Sequence, residues 1–260
     1  MRTISDRYWR GGTATWDATA GSKWAATVGG ATGAAVPTAS DDVYFDATST
    51  GTVGFSGAMV CKSLICTGFT GTIHCSSGNS INISGGLTLS AGMSITTTSV
   101  GSFIFNATTD NGGAGWPVTS AGKTLPLIFF NGVGGRWNLQ DALTSGNTVT
   151  LAAGHLDTAT GGNVAITSTA GLVVSGTSVK RLTMGSSIIT ANGGGNFTFP
   201  DSVTNLTIDT NTATLIDNGT GTRQVNVVSR DMKGASLDMR GGAICQLFGG
   251  TWANVSRNTL

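Results

Sequence analysis

Glutamate is absent from the 260 residues, and only 10% of the chain is charged. Surface helices draw on Glu, Lys, Leu and Ala at 3.6-residue spacing, so this shortage argues against an α-helical or α/β architecture. Four prolines and four cysteines are too few for a Pro-rich spacer or for a disulfide scaffold of this length. The cysteines, Cys61, Cys66, Cys75 and Cys245, show no CxxC spacing. They are expected as reduced core residues, with a Cys61 to Cys75 or Cys66 to Cys75 bridge as the alternative. The longest apolar run, Leu125 to Phe130, is interrupted by Pro126 and falls far short of the ~20 residues of a membrane-spanning helix, so no membrane span is expected. Met1 to Arg10 carries positive charge without an apolar stretch behind it, which gives no secretory signal and predicts folding in cytoplasm. A formal net charge of +1 supplies no basic face for nucleic acid.

What is abundant points one way. The chain holds 40 Gly, 41 Thr and 25 Ser, with 39% hydrophobic residues. That is too apolar for a disordered chain, and β-branched and turn residues dominate, so almost pure β-structure is predicted. Beyond about residue 60, short apolar-polar-apolar triplets follow one another between Gly, Asn, Asp and Ser turns: Ile81-Asn-Ile83, Leu87-Thr-Leu89, Phe103-Ile-Phe105, Trp137-Asn-Leu139, Leu172-Val-Val174, Phe197-Thr-Phe199 and Val225-Asn-Val227 among them. Each reads as a strand of three to five residues with its apolar positions facing inward.

The triplets recur at a longer interval. Phe103 to Ile128, Ile128 to Leu151, Val149 to Leu172, Leu172 to Phe197, Leu182 to Leu206 and Phe197 to Val225 are all separated by a period near 24 residues. About three short strands per period predict a right-handed parallel β-helix, each turn forming one rung. Seven to eight rungs are expected between residues 60 and 250, with Thr108 to Lys123 as an inserted loop. Gly85-Gly86, Gly161-Gly162 and Gly193-Gly194-Gly195 are expected at corners.

A stack of rungs has two open ends that need covering. Residues 1–60 are expected to form a Trp/Gly/Ala-rich cap or docking segment, and residues 61–260 the β-helix with a cap around Gly249 to Trp252. Trp9, Trp16 and Trp24, with Asp41, Asp42 and Asp46, are the candidate docking or capping residues.

The segments Tyr8-Trp9-Arg-Gly-Gly-Thr-Ala-Thr-Trp16, Lys23-Trp24 and Val36-Pro37 through Asp41-Asp42-Val-Tyr-Phe-Asp46 resemble an opening segment of β-solenoid proteins of tailed bacteriophages. Gly135 to Leu143, Thr148 to Thr158 and Lys180 to Ser187 are similar to rung units of the same proteins. A weaker similarity links the Trp unit to autotransporter passenger repeats. The chain departs from these in having one Trp unit, no signal peptide and no membrane-barrel segment, which favours a virion component over a secreted adhesin. The resemblance implies a structural protein of the virion surface, assembled in the host cytoplasm. It also implies a side-by-side homotrimer that binds other virion proteins such as the major capsid protein. Capsid decoration is the expected role, a tail fibre or spike for host attachment that binds or degrades a host surface polysaccharide is the alternative, and a cell-surface adhesin is the third.

Chemistry is sparsely provided. Hydrolysis of a glycosidic bond needs two carboxyl groups about 5 to 9.5 Å apart, one with a raised pKa. The acids available, Asp157, Asp201, Asp209, Asp217 and Asp238, sit in turn-like contexts where Asp caps its own backbone. Lys180-Arg181 or Arg223 are candidate bases for a lyase, without acids grouped around them. Asp41, Asp42 and Asp46 carry oxygen ligands for Ca²⁺, yet lack the Gly-Gly-x-Gly-x-Asp repeat of calcium-binding rolls. His74 and Cys75 point to opposite faces of a strand and do not form a zinc site, and His155 has no Ser or Cys partner at triad spacing. Ala121-Gly-Lys-Thr124 resembles the tail of a phosphate loop, but Pro117 stands where that motif requires glycine. The six Asn-x-Ser/Thr sites, at Asn82, Asn106, Asn196, Asn205, Asn218 and Asn254, follow from composition. No catalytic residue, cofactor or metal is therefore expected. Trp116, beside Pro117 in the expected loop, is the candidate exposed ligand contact.

Overall fold

A computed structural model describes residues 5–16, 21–98, 100–193, 196–199, 204–219, 222–227, 231–240 and 244–258. Among these there is no α-helix, and the strands stack in parallel as a β-solenoid of about 9 turns, a parallel β-helix. Each turn has three faces. The first carries Arg7–Trp9, Val43–Tyr44, Leu64–Ile65, Leu87–Thr88 and Trp116–Thr119, and further along Lys180–Thr183 and Leu206–Asp209. The second is a four-stranded sheet from Ala14–Trp16 to Ser94–Thr97, followed at the same position in later turns by a seven-stranded sheet from Thr124–Leu125 to Thr251–Asn258. The third carries Ala58–Cys61, Ser80–Ile83, Ser102–Phe105, Gly171–Val174, Asn196–Thr198, Thr222–Asn226 and Ile244–Phe248.

The expected period is present in the register. Phe103 faces Ile128, Val149 faces Leu172, Leu172 faces Phe197 and Phe197 faces Val225 across adjacent rungs. Two anticipated pairs slip by two residues: Ile128 meets Val149, and Leu182 meets Ile208. Inward residues such as Ile81, Phe103, Ile128, Val149 and Phe197 are fully buried, and together they form one continuous ladder of apolar side chains.

Two expectations about strand length and loops need correction. Leu127–Leu139 and Val149–Asp157 run for 13 and 9 residues, well beyond three to five, because each turns the corner between the third and first faces without leaving the ladder. The bend is made at register shifts between Phe130 and Asn131 and between Asn131 and Arg136, in a glycine-rich stretch. Gly154 shows why glycine is required: its φ is +81°, and a Cβ there would lie 2.5 Å from the Gly132 carbonyl oxygen and 2.8 Å from the Trp137 ring. The expected loop from Thr108 to Lys123 contains a strand, Trp116–Thr119, which keeps its place in the first face.

The ladder is also running before residue 60. Val43–Tyr44, Thr52–Phe55 and Ala58–Cys61 pair in parallel with Leu64–Ile65, Thr72–Cys75 and Ser80–Ile83. The piece that closes the N-terminal end is narrower: Trp24–Ala25 lies antiparallel on Arg7–Trp9 and occupies its outer edge. Cys61, Cys66 and Cys75 are free and buried, which raises each thiol pKa and keeps it protonated. Gly194, Gly195, Asp201 and the side chains of Arg223 and Cys245 lie outside the described residues. Among the described residues no helix is long and apolar enough to cross a membrane.

Candidate functional site

Connections between the third and first faces vary widely, spanning 62–63, 84–86, 106–115 and 175–179, while Leu127–Leu139 and Val149–Asp157 cross the same corner within a strand. Stacked insertions at one corner build relief on an otherwise flat solenoid. Between them lies a cleft of about 530 Å³, lined by Asp110, Gly134, Gly135, Gly154, Val179 and side chains of the adjoining first face.

The first face supplies two outward columns. Arg136, His155 and Arg181 stand in register on three consecutive rungs, and Asn138, Asp157, Thr183 and Asp209 form the neighbouring column on four. Rungs are ~4.8 Å apart, so charges in neighbouring columns meet diagonally. Arg136 Nη2 donates to Asp157 Oδ2 at 2.8 Å, while Nη1 reaches the Gly113 carbonyl at 3.0 Å and Nε reaches Asn138 Oδ1 at 3.2 Å. Arg136 therefore ties the 106–115 connection to the rung beyond it. Arg181 and Asp209, each about half exposed, approach to 3.6 Å. His155 Nε2 lies 2.9 Å from Thr183 Oγ1. Lys180 is 1% exposed, and its ammonium donates to the carbonyls of Gly176 (3.0 Å), Ser178 and Thr204 (3.2 Å), which holds the 175–179 connection against the wall of the cleft.

Asp157 shows what these groups can do. Its carboxylate accepts from the backbone of Ala159 and Thr160 at 2.9 and 3.0 Å, from Thr160 Oγ1 at 2.7 Å and from Arg136. Burial acts to raise its pKa, but these hydrogen bonds prevail and hold it below the usual value. A glycosidase acid must be shifted the other way, so Asp157 with Asp209, two rungs or ~10 Å along the column, does not make the acid–base pair considered from sequence. Burial lowers the pKa of His155 to about 4; Asp157 opposes this and Arg136 and Arg181 reinforce it. A neutral imidazole this weakly basic is a hydrogen-bonding group, poorly matched to proton abstraction near neutral pH. The cleft thus offers a neutral imidazole, the Thr183 hydroxyl and a half-exposed guanidinium, while the half-exposed Asp209 carboxylate lies outside its lining.

No protein family, curated protein or solved structure matches this chain. The site therefore rests on its own geometry.

The residues singled out from sequence fall elsewhere. Trp9, Trp16 and Trp24 are 0%, 2% and 0% exposed. Trp24 meets both others edge to face with ring centroids 5.1 Å apart, so they fill the end of the core and present nothing to a partner. Asp41, fully buried, accepts from the amide and hydroxyl of Thr38, at 2.9 and 2.6 Å. Asp42 pairs with Lys62 at 3.1 Å, and Asp46 with Arg10 at 3.0 Å and with the amide and hydroxyl of Thr48. Burial works against the charge on Asp46, yet these bonds bring its pKa to about 2. The three carboxylates serve separate turns and ion pairs, and the structure does not bring them together. Trp116 is partly buried; its Nε1 donates to the Thr109 carbonyl at 2.9 Å, and Lys62 Nζ lies 5.8 Å from its ring centroid. It does not line the cleft.

Sequence reasoning missed Arg136 and Asp141. The turn at Ala121-Gly-Lys-Thr124 offers its amides as a phosphate loop would, and the Asp141 carboxylate of the next rung takes them, at 2.7 Å from Ser120 N and 2.6 Å from Ala121 N. The stacking distance of about one period, here 20 to 21 residues, was the available signal for that pair.

Proposed function

We propose that the chain is a non-catalytic structural component of a bacteriophage particle, displayed on the virion surface as a decoration protein of the shell. The observation that carries this reading is the way polar groups of the first face are used. Arg136, Asp157, Lys180 and Asp141 bind neighbouring rungs to one another, leaving a stiff, nearly neutral rod coated with Thr, Ser and Asn. Such a surface suits lateral contact with other subunits, where charge would have to be desolvated. The resemblance of its head and rung units to phage solenoid proteins supplies the particle context. Immunogold labelling of purified phage particles encoded by the same genome tests it: label over the shell is expected, and particles that carry no label refute it.

A second reading is favoured by the cleft. With Arg181 half exposed beside the partly buried His155 and the Thr183 hydroxyl, the chain serves as an attachment component that holds a host surface glycan. Label on the tail, together with chemical-shift changes confined to the cleft on titration with host glycan, distinguishes this role from decoration.

A further inference from the structure

The outward positions of the third face form a column of their own. Val60, Asn82, Ile104, Phe129, Thr150 and Val173 stand in register on six consecutive rungs, and the column continues through Thr198 and Asn226. Burial alternates along these strands, so the next residues, Cys61, Ile83, Phe105, Phe130 and Val174, fill the core while the column points away from it. Four of the six are apolar, and Leu127, two residues before Phe129 on the same side, widens the stripe. Over the same stretch the first face turns Arg136, His155 and Arg181 outward, and the second face Thr144, Thr167 and Thr190. Solvated sheet faces are polar as a rule, and a contiguous apolar stripe facing outward marks contact with another surface.

The stripe is also without charge. No Lys, Arg, Asp or Glu occurs in 63–109, 127–131, 142–156 or 158–179, and Lys62, at the corner beside Val60, pairs with Asp42 at 3.1 Å. Identical uncharged surfaces meet without like-charge repulsion, and the same face of a second copy supplies a partner of equal length. Seven rung steps of ~4.8 Å and strands of about five residues at ~3.3 Å give a face of roughly 34 by 17 Å, so two copies cover about 1,100 Å² between them, above the ~1,000 Å² that a specific interface needs. Ile104, Leu127 and Phe129 lie toward its middle and Asn196, Thr198 and Asn226 toward one end, the apolar centre and polar rim of an interface. We propose that the third face is a self-association surface, on which two copies of this chain pack sheet on sheet about a two-fold axis. Phe129, near the middle of the column, meets its counterpart across that axis. The inference goes beyond the particle role and holds for the chain in isolation.

Sedimentation of the full chain across the micromolar range tests this. A dimer is expected, its dissociation constant little changed between low and high salt because no ion pair holds it. Phe129→Lys sets like charges at the axis and should weaken association by about 100-fold. Its side chain points out of the core, so the denaturation midpoint checks that the fold is kept. Thr167→Lys, on the second face, should leave the dimer unchanged. Hydroxyl-radical labelling of the unmodified chain gives a readout that needs no variant: oxidation of Leu127 and Phe129 falls as concentration rises, while that of Ile188 on the second face stays constant. A chain that stays monomeric, a trimer, or a dimer that leaves Leu127 and Phe129 as open to labelling as before overturns the proposal.

Discussion

Two corners of the same solenoid handle the same bend differently. Between the second and third faces the connections are short and similar, spanning 56–57, 76–79, 146–148 and 169–170. Between the third and first faces they run from two residues at 62–63 to the long excursion 106–115, and twice the chain crosses without leaving the strand. The uniform corner sets the rung period, and the variable corner carries the relief and therefore the cleft. A solenoid can be altered at one corner while the other keeps its ladders in step, because each rung leans only on its neighbours.

Substitutions that strike one corner and spare the other sharpen this contrast. Gly154→Ala places a methyl group against the Gly132 carbonyl and the Trp137 ring at positive φ, and is expected to lower the unfolding free energy by about 3 kcal/mol or more in denaturant titrations. Arg136→Ala removes the tie between the 106–115 connection and Asp157; a loss of about 1–3 kcal/mol is expected, with faster proteolysis confined to that connection. At the uniform corner, Gly78→Ala meets nothing within 4 Å and carries only the cost of a left-handed alanine, about 1–2 kcal/mol by the same titration. Equal losses at Gly78 and Gly154 would remove the distinction between the corners.

The last expected effect is a pH dependence. Because the folded chain holds His155 at about 4, the unfolded chain binds more protons between pH 4 and the ordinary histidine value, so stability falls as the solution is acidified through that window. His155→Gln should flatten the denaturation midpoint between pH 6.5 and 4, while leaving the further loss below pH 4 that Asp46 and Asp157 contribute as their lowered carboxyls protonate.

The fold was legible because burial imposes a two-residue alternation within strands and a recurrence between rungs. Both registers that slipped did so by two residues, since inward positions two apart are equivalent in an apolar pattern and only the three-dimensional corner decides between Val149 and Leu151. Long strands were hidden for a related reason: Gly132, Gly134 and Gly135 look like turn residues, and a bend within a ladder uses the same conformational freedom as a turn between strands. The cleft was largely invisible. Asp157 and His155 were noticed one at a time, but their partners Arg136 and Thr183 are 21 and 28 residues away, and nothing local joins them. The tryptophans drew attention by rarity, and in this molecule their size serves the core.

The aromatic packing around Trp9, Trp16 and Trp24 has a kinetic meaning as well. A ribosome releases these rungs before the later ones, so a sealed apolar layer is in place when synthesis reaches the following turns. Each of those turns then finds its template in the rung made just before it, and the ladder keeps its register as it lengthens.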